Sequence, residues 1–348
     1  MAPLIPVCLI DSGTKAAGHS TKTQDTIVEN ISSFALYGFP ESHAASFALI
    51  AYSSAYFKVK YLAAFTCAIL NNQPMGFYSP AVLVKDAQRH GLRVKPIDVQ
   101  VSDWLCTVEC ETDGSLSLRM GLGYAKGLRE PAAESLLASR VLDGPFRSAE
   151  DLALRVPSLN RTELLLLAQI GALNKLGAIE HRRDSLWQVS RAGKLEGPLL
   201  RQSSELLKED SRTLPLLQMS TWERLVADYA GTRLTVGKHP MFYRRPKLMR
   251  LNVKSARELQ ACRDGEFVRG AGFVIVPQRP GTAKGFIFFS MEDETGIANV
   301  IVTPDLYERQ KRLMTCKVLL VEGRLQNQDG VIHLKATCLK DISDGALE

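Results

Sequence analysis

The sequence predicts a multidomain α+β protein, helical over most of its length and closed by a five-stranded β-barrel near its end. The stretch from Ala44 to Leu70 is almost continuously apolar and too long for a strand. Around Gly127, a glycine turn divides two helix-patterned stretches. From Gly265 onward, apolar residues alternate with polar ones in short runs, the pattern of half-buried strands. With 348 residues, 45% apolar and 23% charged, the chain has room for two or three domains, and disorder of the whole is excluded.

Residues 1–30 turn polar after Ile10 and are expected to be loose, with a helix starting near Gln24. Residues 31–115 read as helices with short extended pieces, and Ala44 to Leu70 as one buried helix. Lys58 and Lys60 fall inside that apolar run, where each charge would cost roughly 2.5 kcal/mol or more in a bilayer, so a membrane span is not expected. A turn follows at Gln73 to Tyr78. Pro80 to His90 is then a helix with proline at its start and Gly91 at its stop. The run RVKPIDVQVSDWLCTVE alternates enough for short strands.

Residues 116–200 carry the glycine turn. In GLGYAKGLREPAAESLLASR, Gly127-Leu128-Arg129 forms a hairpin, and Ala133 with Leu136 begin a packed second helix. This fits the helix-hairpin-helix pattern, in which successive backbone N–H groups face a DNA phosphate without reading bases. Lys126 and Arg129 would add charge. The usual pattern has glycine at the place of Arg129, so a steric cost is expected there if φ is positive. A second unit, LNRTELLLLAQIGALNKLG, places Asn160 as a helix cap and Gly171 at the turn. Its alternative is a plain helical linker domain.

Residues 201–264 form a connecting segment. Between Arg233 and Arg257 it holds eight basic residues and no acidic one, with Phe242 and Tyr243 among them. Arg244, Arg245 and Lys247 are therefore candidate DNA contacts. A linker, or a surface against another domain, is the competing reading. By contrast, residues 1–115 hold 8 basic and 10 acidic residues and residues 265–348 hold 10 and 11, so charge alone gives those parts no claim on nucleic acid.

Residues 265–340 run strand, hairpin, helix, hairpin, the order of an OB-fold barrel, and 341–348 are a tail. Such barrels stack single-stranded bases on aromatics beside cations. Phe273, Phe286, Phe288, Arg269, Arg279 and Lys284 are candidates, although most of the phenylalanines are expected in the core. Glu292-Asp293-Glu294 is expected to be a solvated turn rather than a metal site.

The segment YGFPESHAASFALIAYSSAYFKVKYLAAFTCAILNNQPMGFYSP, Tyr37 to Pro80, resembles the fingers region of bacterial C-family DNA polymerases, the DNA polymerase III alpha-subunit-like enzymes, and is closest to their error-prone branch. HRRDSLWQV, MEDETGIANVIV and QRPGTAKG are similar to the same family, so the resemblance covers roughly residues 31–340 and the C-terminal third of such an enzyme. It implies a fingers-like helical segment, a tandem helix-hairpin-helix domain and an OB-fold. It also implies that Tyr37, Ser42 and His43 face the incoming nucleotide, near a helix N-terminus that favours phosphate. The family usually breaks the helix with a proline near Tyr61-Leu62-Ala63; here Leu62 stands there, and a longer unbroken helix is expected.

Two-metal nucleotidyl transfer in this family uses a palm with a triad of aspartates, and no spaced aspartate motif of that kind precedes Tyr37. The chain is therefore expected to bind no cofactor by itself, with Mg in the palm of a full enzyme, and to be inactive alone. Seven scattered cysteines without a CxxC pair, and an N-terminus without a basic leader, lead to the expectation of a reduced, cytoplasmic protein. The resemblance implies a DNA-binding part of a translesion polymerase, with primer-template and single strands as ligands and other damage-response subunits or a sliding clamp as further partners. The alternatives are a protein-interaction module of a damage-response complex, or a gene fragment without a role of its own.

Overall fold

The structure is a computed structural model that describes residues 20–36, 41–76, 78–177, 179, 181–192, 217–281, 283–328 and 331–343. It divides into two units, Met1–Tyr61 and Leu62–Glu348. The first contains α1 (Thr21–Leu36) and α2 (Glu41–Lys60). Helix α1 begins at Thr21, inside the stretch expected to be loose. The apolar run is two helices rather than one, because α2 ends at Lys60 and α3 (Leu62–Asn71) starts after Tyr61, although no proline is present. Burial differs as well. Phe47, Leu49, Ile50, Tyr52 and Val59 of α2 are exposed, whereas Ala63, Cys67 and Leu70 of α3 are buried. An apolar sequence makes a helix by itself but needs a second layer to bury it, and the described residues of the first unit supply none.

The second unit opens with α3 and α4 (Pro80–Arg89), which starts at its proline and is followed by Gly91 at φ +92°. Next comes a small sheet of β1 (Arg93–Lys95), β2 (Thr107–Cys110) and β3 (Leu116–Arg119), in the order β1-β3-β2. Helices α5 (Glu130–Asp143), α6 (Ala149–Arg155), α7 (Arg161–Gln169) and α8 (Arg182–Ala192) complete this half. A single core joins Leu70, Leu118, Leu136, Leu152, Leu167 and Leu234. The boundary expected between residues 115 and 116 therefore does not divide the core, because the β2–β3 hairpin crosses it. Ala133 and Leu136 are fully buried, as the second helix of a hairpin unit requires.

Residues 217–264, the described part of the connecting segment, are largely helical. They contain α9 (Thr221–Thr232), α10 (Pro240–Arg250) and α11 (Ala256–Gln260). The barrel follows: β4 (Phe267–Gln278), β5 (Ile287–Glu292), β6 (Ile297–Val302), α12 (Pro304–Gln310), β7 (Val318–Gln328) and β8 (Val331–Asp341), closed in the order β4-β5-β6-β8-β7. Ile287, Phe289, Met291, Val300, Val302, Val321 and Leu334 alternate inward to fill it. Met241 and Leu248 of α10 pack on its outside against Ala271, Val318 and Leu320, so α10 covers the outer face of β4 and β7.

Charge fixes how the halves of this unit meet. Glu292-Asp293-Glu294 is not a solvated turn, since Glu292 and Asp293 are buried. Asp293 Oδ1 accepts from the N–H of Thr295 at 2.7 Å, the Thr295 hydroxyl at 2.7 Å and the N–H of Gly296 at 3.0 Å. Its Oδ2 accepts from the N–H of Ala256 at 2.7 Å and from Arg245 at 2.9 Å. Arg245 also binds Glu294. Glu292 pairs with Arg89 of α4 at 2.8 Å, and His239 Nε2 lies 3.8 Å from it. Beside them, the buried ammonium of Lys85 donates to the carbonyl of Gly237 and to Gln88, and desolvation holds its pKa down to about 8. The low-dielectric setting that makes these pairs expensive to break also keeps water from replacing them.

Replacing Asp293 by Ala removes an acceptor of five hydrogen bonds and leaves Arg245 with only Glu294 among its carboxylate partners. A loss of about 3 kcal/mol is expected, read as a lower urea midpoint at unchanged m-value, and a loss under about 0.5 kcal/mol would show that the carboxylate is not structural.

Candidate nucleic-acid interface

Two surfaces follow from this fold. The first is the hairpin after the short 3-10 turn Leu122–Tyr124. Gly127 has φ +99°, a conformation that side chains with a Cβ adopt only at a cost, so glycine is required there. Arg129 does not share that requirement. It is the N-cap of α5 with φ −80° and ψ 137°, ordinary extended backbone, so the steric cost expected for it does not arise.

The amides of Lys126, Leu128 and Arg129 are already partnered. The N–H of Lys126 donates to the carbonyl of Gly231 at 2.7 Å and that of Leu128 to Ala125 at 3.1 Å. The N–H of Arg129 donates to Glu163 Oε1 at 3.0 Å, and its Nε and Nη2 reach Oε1 and Oε2 of the same carboxylate, both at 2.9 Å. Arg129, expected to face phosphate, therefore clamps a buried internal anion. Glu163 is also the N3 residue of a capping box with Asn160 on α7. The Arg129 guanidinium holds the Glu163 carboxyl down to about 2. Lys126 and Gly127 remain exposed, and Leu128 is buried. In the second unit Asn160 caps α7 as expected, while Gly171 takes φ +83° just beyond that helix, where an added Cβ would stand 2.6 Å from Arg182 Nε.

The second surface is the part of the barrel that α10 leaves open. Cross-strand register lines up Phe288, Ile301, Lys335 and Arg324 in one row, and Ser290, Asn299 and His333 in the next. Lys335 and Arg324 are exposed, and Phe288 is half-buried. Arg279 and Lys284 stand on the exposed β4–β5 loop, with the Arg279 guanidinium 4.6 Å from the centroid of the Tyr307 ring. Phe286 is half-buried at the end of that loop.

Other expected contacts have partners within the protein. Phe273 lies under α10 with its ring edge-on to His239 at 5.6 Å. Arg269 is held by Glu322 at 3.1 Å and by the carbonyl of Leu251 at 3.2 Å. Arg244 donates to the carbonyls of Ile342 and Ser343, and Arg245 is committed to the acidic run. Of the three cations expected from the basic stretch, only Lys247 is exposed. Lys335, Arg324 and Asn299 were missed. The alternation of VIHLKAT gave a signal that Lys335 faces outward, but no local pattern pairs β6 with β8.

Ser42 and His43 are exposed in the first turn of α2, and His43 stacks at 4.5 Å on Phe47; Tyr37 lies outside the described residues. Among the described residues, no three His, Cys, Asp or Glu side chains are grouped to hold a metal ion, and no helix is long and apolar enough to cross a membrane.

Residues 91–185 match a family model described as a helix-hairpin-helix motif, and residues 271–342 one described as an OB-fold nucleic acid binding domain. An error-prone DNA polymerase of Alkalilimnicola ehrlichii is 42% identical over 339 residues, 97% of this chain and 32% of the relative. One of Azoarcus sp. is 43% identical over 337 residues, 95% of this chain and 31% of the relative. The chain is a relative of the error-prone DNA polymerases. It spans about a third of the length of these polymerases, which fits the C-terminal third implied by its motifs. Among solved structures, an asparaginyl-tRNA synthetase from Pyrococcus horikoshii is similar at 26% identity and a TM-score of 0.23, covering 26% of this chain and 22% of that one. The hairpin and barrel modules support nucleic-acid binding as the general activity of this segment.

The depressed Glu163 pKa gives a pH prediction. A carboxyl whose folded pKa lies below its unfolded value, here about 2 against 4.5, adds stability that is complete above pH 4.5 and fades as pH falls toward 2. Urea unfolding at stepped pH should show Glu163→Gln destabilised relative to the parent at pH 6, with the gap closing toward pH 2. A gap independent of pH would show that the Arg129 pair contributes nothing to folding.

Proposed function

We propose that this chain is the DNA-holding segment of an error-prone DNA polymerase that works in translesion synthesis during replication and repair. The observation that carries the reading is the coupling, inside one structural unit, of a helix-hairpin-helix half and an OB-fold barrel, in a chain 42% identical to such polymerases over 97% of its length. In this reading the hairpin half grips the primer-template backbone around Lys126 and Gly127, and the open barrel face with Lys335, Arg324, Arg279 and Lys284 holds the single-stranded template. Ser42 and His43, with Tyr37, form one wall of the nucleotide pocket. Phosphoryl transfer, with its Mg ions, belongs to a palm in the remaining length of the relatives, so this segment alone is inactive. The compartment is the cytoplasm, and the partners beyond DNA are a sliding clamp or other damage-response subunits.

One observation favours a second reading. Arg129, Arg244 and Arg245 are committed internally, while Val141 and Leu142 at the end of α5 are 81% and 82% exposed. That combination suits a protein-interaction module of a damage-response complex.

Fluorescence anisotropy of a labelled primer-template and a matched single strand separates the two. Each neutralised phosphate contributes about 0.9 to the slope of log K against log salt for duplex and about 0.7 for a single strand. A slope steeper than about −2 on either ligand, weakened by Lys335→Ala with Arg324→Ala, is expected. Absence of binding to both ligands at low salt would remove the DNA-holding reading.

A further inference from the structure

The outer face of α10 lies between the two family matches, and neither model assigns it a role. Its inner face is fixed: Met241 and Leu248 pack on the barrel, and Arg244 and Arg245 reach around to anchor it. At 100° per residue, that orientation turns Phe242, Tyr243, Lys247, Met249 and Arg250 outward. Phe242, Lys247, Met249 and Arg250 are exposed. Trp222, in the first turn of α9, meets the Tyr243 ring at 6.3 Å and 82°, and Phe242 meets Tyr243 at 5.6 Å and 88°. Lys238 Nζ stands 3.7 Å from the centroid of the Phe242 ring.

Edge-to-face packing occupies only part of each ring, and Lys238 covers one face of Phe242, leaving the rest of these rings toward solvent. Trp222 and Phe242 are 44% and 41% exposed, which is costly for large aromatics without an occupant. Charge selects that occupant. Helix α10 holds no carboxylate, its cations Lys247 and Arg250 are exposed, and the acidic residue nearest in sequence to Trp222, Glu223, is tied to Arg183 at 2.8 Å and to the N–H of Ser220. A polyanion with free π-faces is the ligand that matches both features. Bases in a duplex are already stacked, so it is single-stranded.

We propose that Trp222, Phe242 and Tyr243, flanked by Lys238, Lys247 and Arg250, form a stacking platform for unpaired bases of single-stranded DNA. The proposal rests on the DNA-holding reading and adds to it a second single-strand contact, outside the barrel. Stacking is worth roughly 1–3 kcal/mol per base, about 5- to 150-fold in affinity.

The test uses the full chain, a fluorescein-labelled oligothymidylate and a blunt hairpin duplex. Trp222→Ala with Phe242→Ala is expected to weaken oligothymidylate at least about fivefold, to change duplex binding less than about twofold and to leave thermal unfolding unmoved. Tyr243→Phe should bind like the parent. Lys247→Ala with Arg250→Ala should flatten the single-strand salt slope by about 1.4. An aromatic variant that binds oligothymidylate as the parent does overturns the platform and leaves the DNA-holding reading intact, with the patch then free for a protein partner. A parent chain that binds neither DNA at low salt overturns both.

Discussion

The carboxylate of Asp293 is the constraint on which the second unit depends. One oxygen closes the β5–β6 turn and the other holds the start of α11 and the guanidinium of Arg245, so barrel, connecting segment and α10 converge on a single side chain. Its neighbour Glu292 extends the same node to Arg89 at the end of α4, in the other half of the unit. Buried pairs of this kind add little net stability over an apolar packing, but they are intolerant of sliding, because any other register leaves a charge unpaired out of water. Geometry is therefore the property this node supplies. Two nucleic-acid modules that slid freely would bind independently; modules locked at Glu292 and Asp293 present their surfaces at one spacing.

Local chemistry made much of this fold legible. Pro80 and Gly91 delimit α4, Asn160 with Glu163 caps α7, and alternation placed the barrel strands, because each of these signals is carried by residues close together in the chain. The failures share one cause. Glu292-Asp293-Glu294 looks solvated until Arg89 and Arg245 are brought to it, and Arg244 looks like a free cation until the chain end returns beside it. Partnering of a charge is a long-range property, and a count of basic residues in a window does not contain it. The break at Tyr61 and the exposure of α2 belong to the same class, since burial is decided by what arrives from elsewhere.

The site shows the same limit. Phe273 and Phe288 are alike in sequence context, yet α10 covers one and leaves the other on the open face. Lys335 becomes part of a row with Phe288 only through the parallel pairing of β6 with β8, which joins strands separated by a helix and another strand.

Arg129 carries the furthest step of the comparison. A glycine in its place would serve to let a phosphate approach the amides, whereas arginine there brings its own guanidinium and captures the carboxylate of Glu163 on the same N–H. The hairpin thus holds an anion already, supplied from α7, and Lys126 is its exposed cation without a carboxylate partner. An N–H already bonded to a carboxylate offers a phosphate no new hydrogen bond without first losing the old one, and Glu163 is buried and held by the capping box as well. A grip on a polyanion, as proposed for this segment, then draws on cations unpaired by carboxylates. In the second unit such cations include Lys247 and Arg250 on α10 and Lys335 and Arg324 on the barrel.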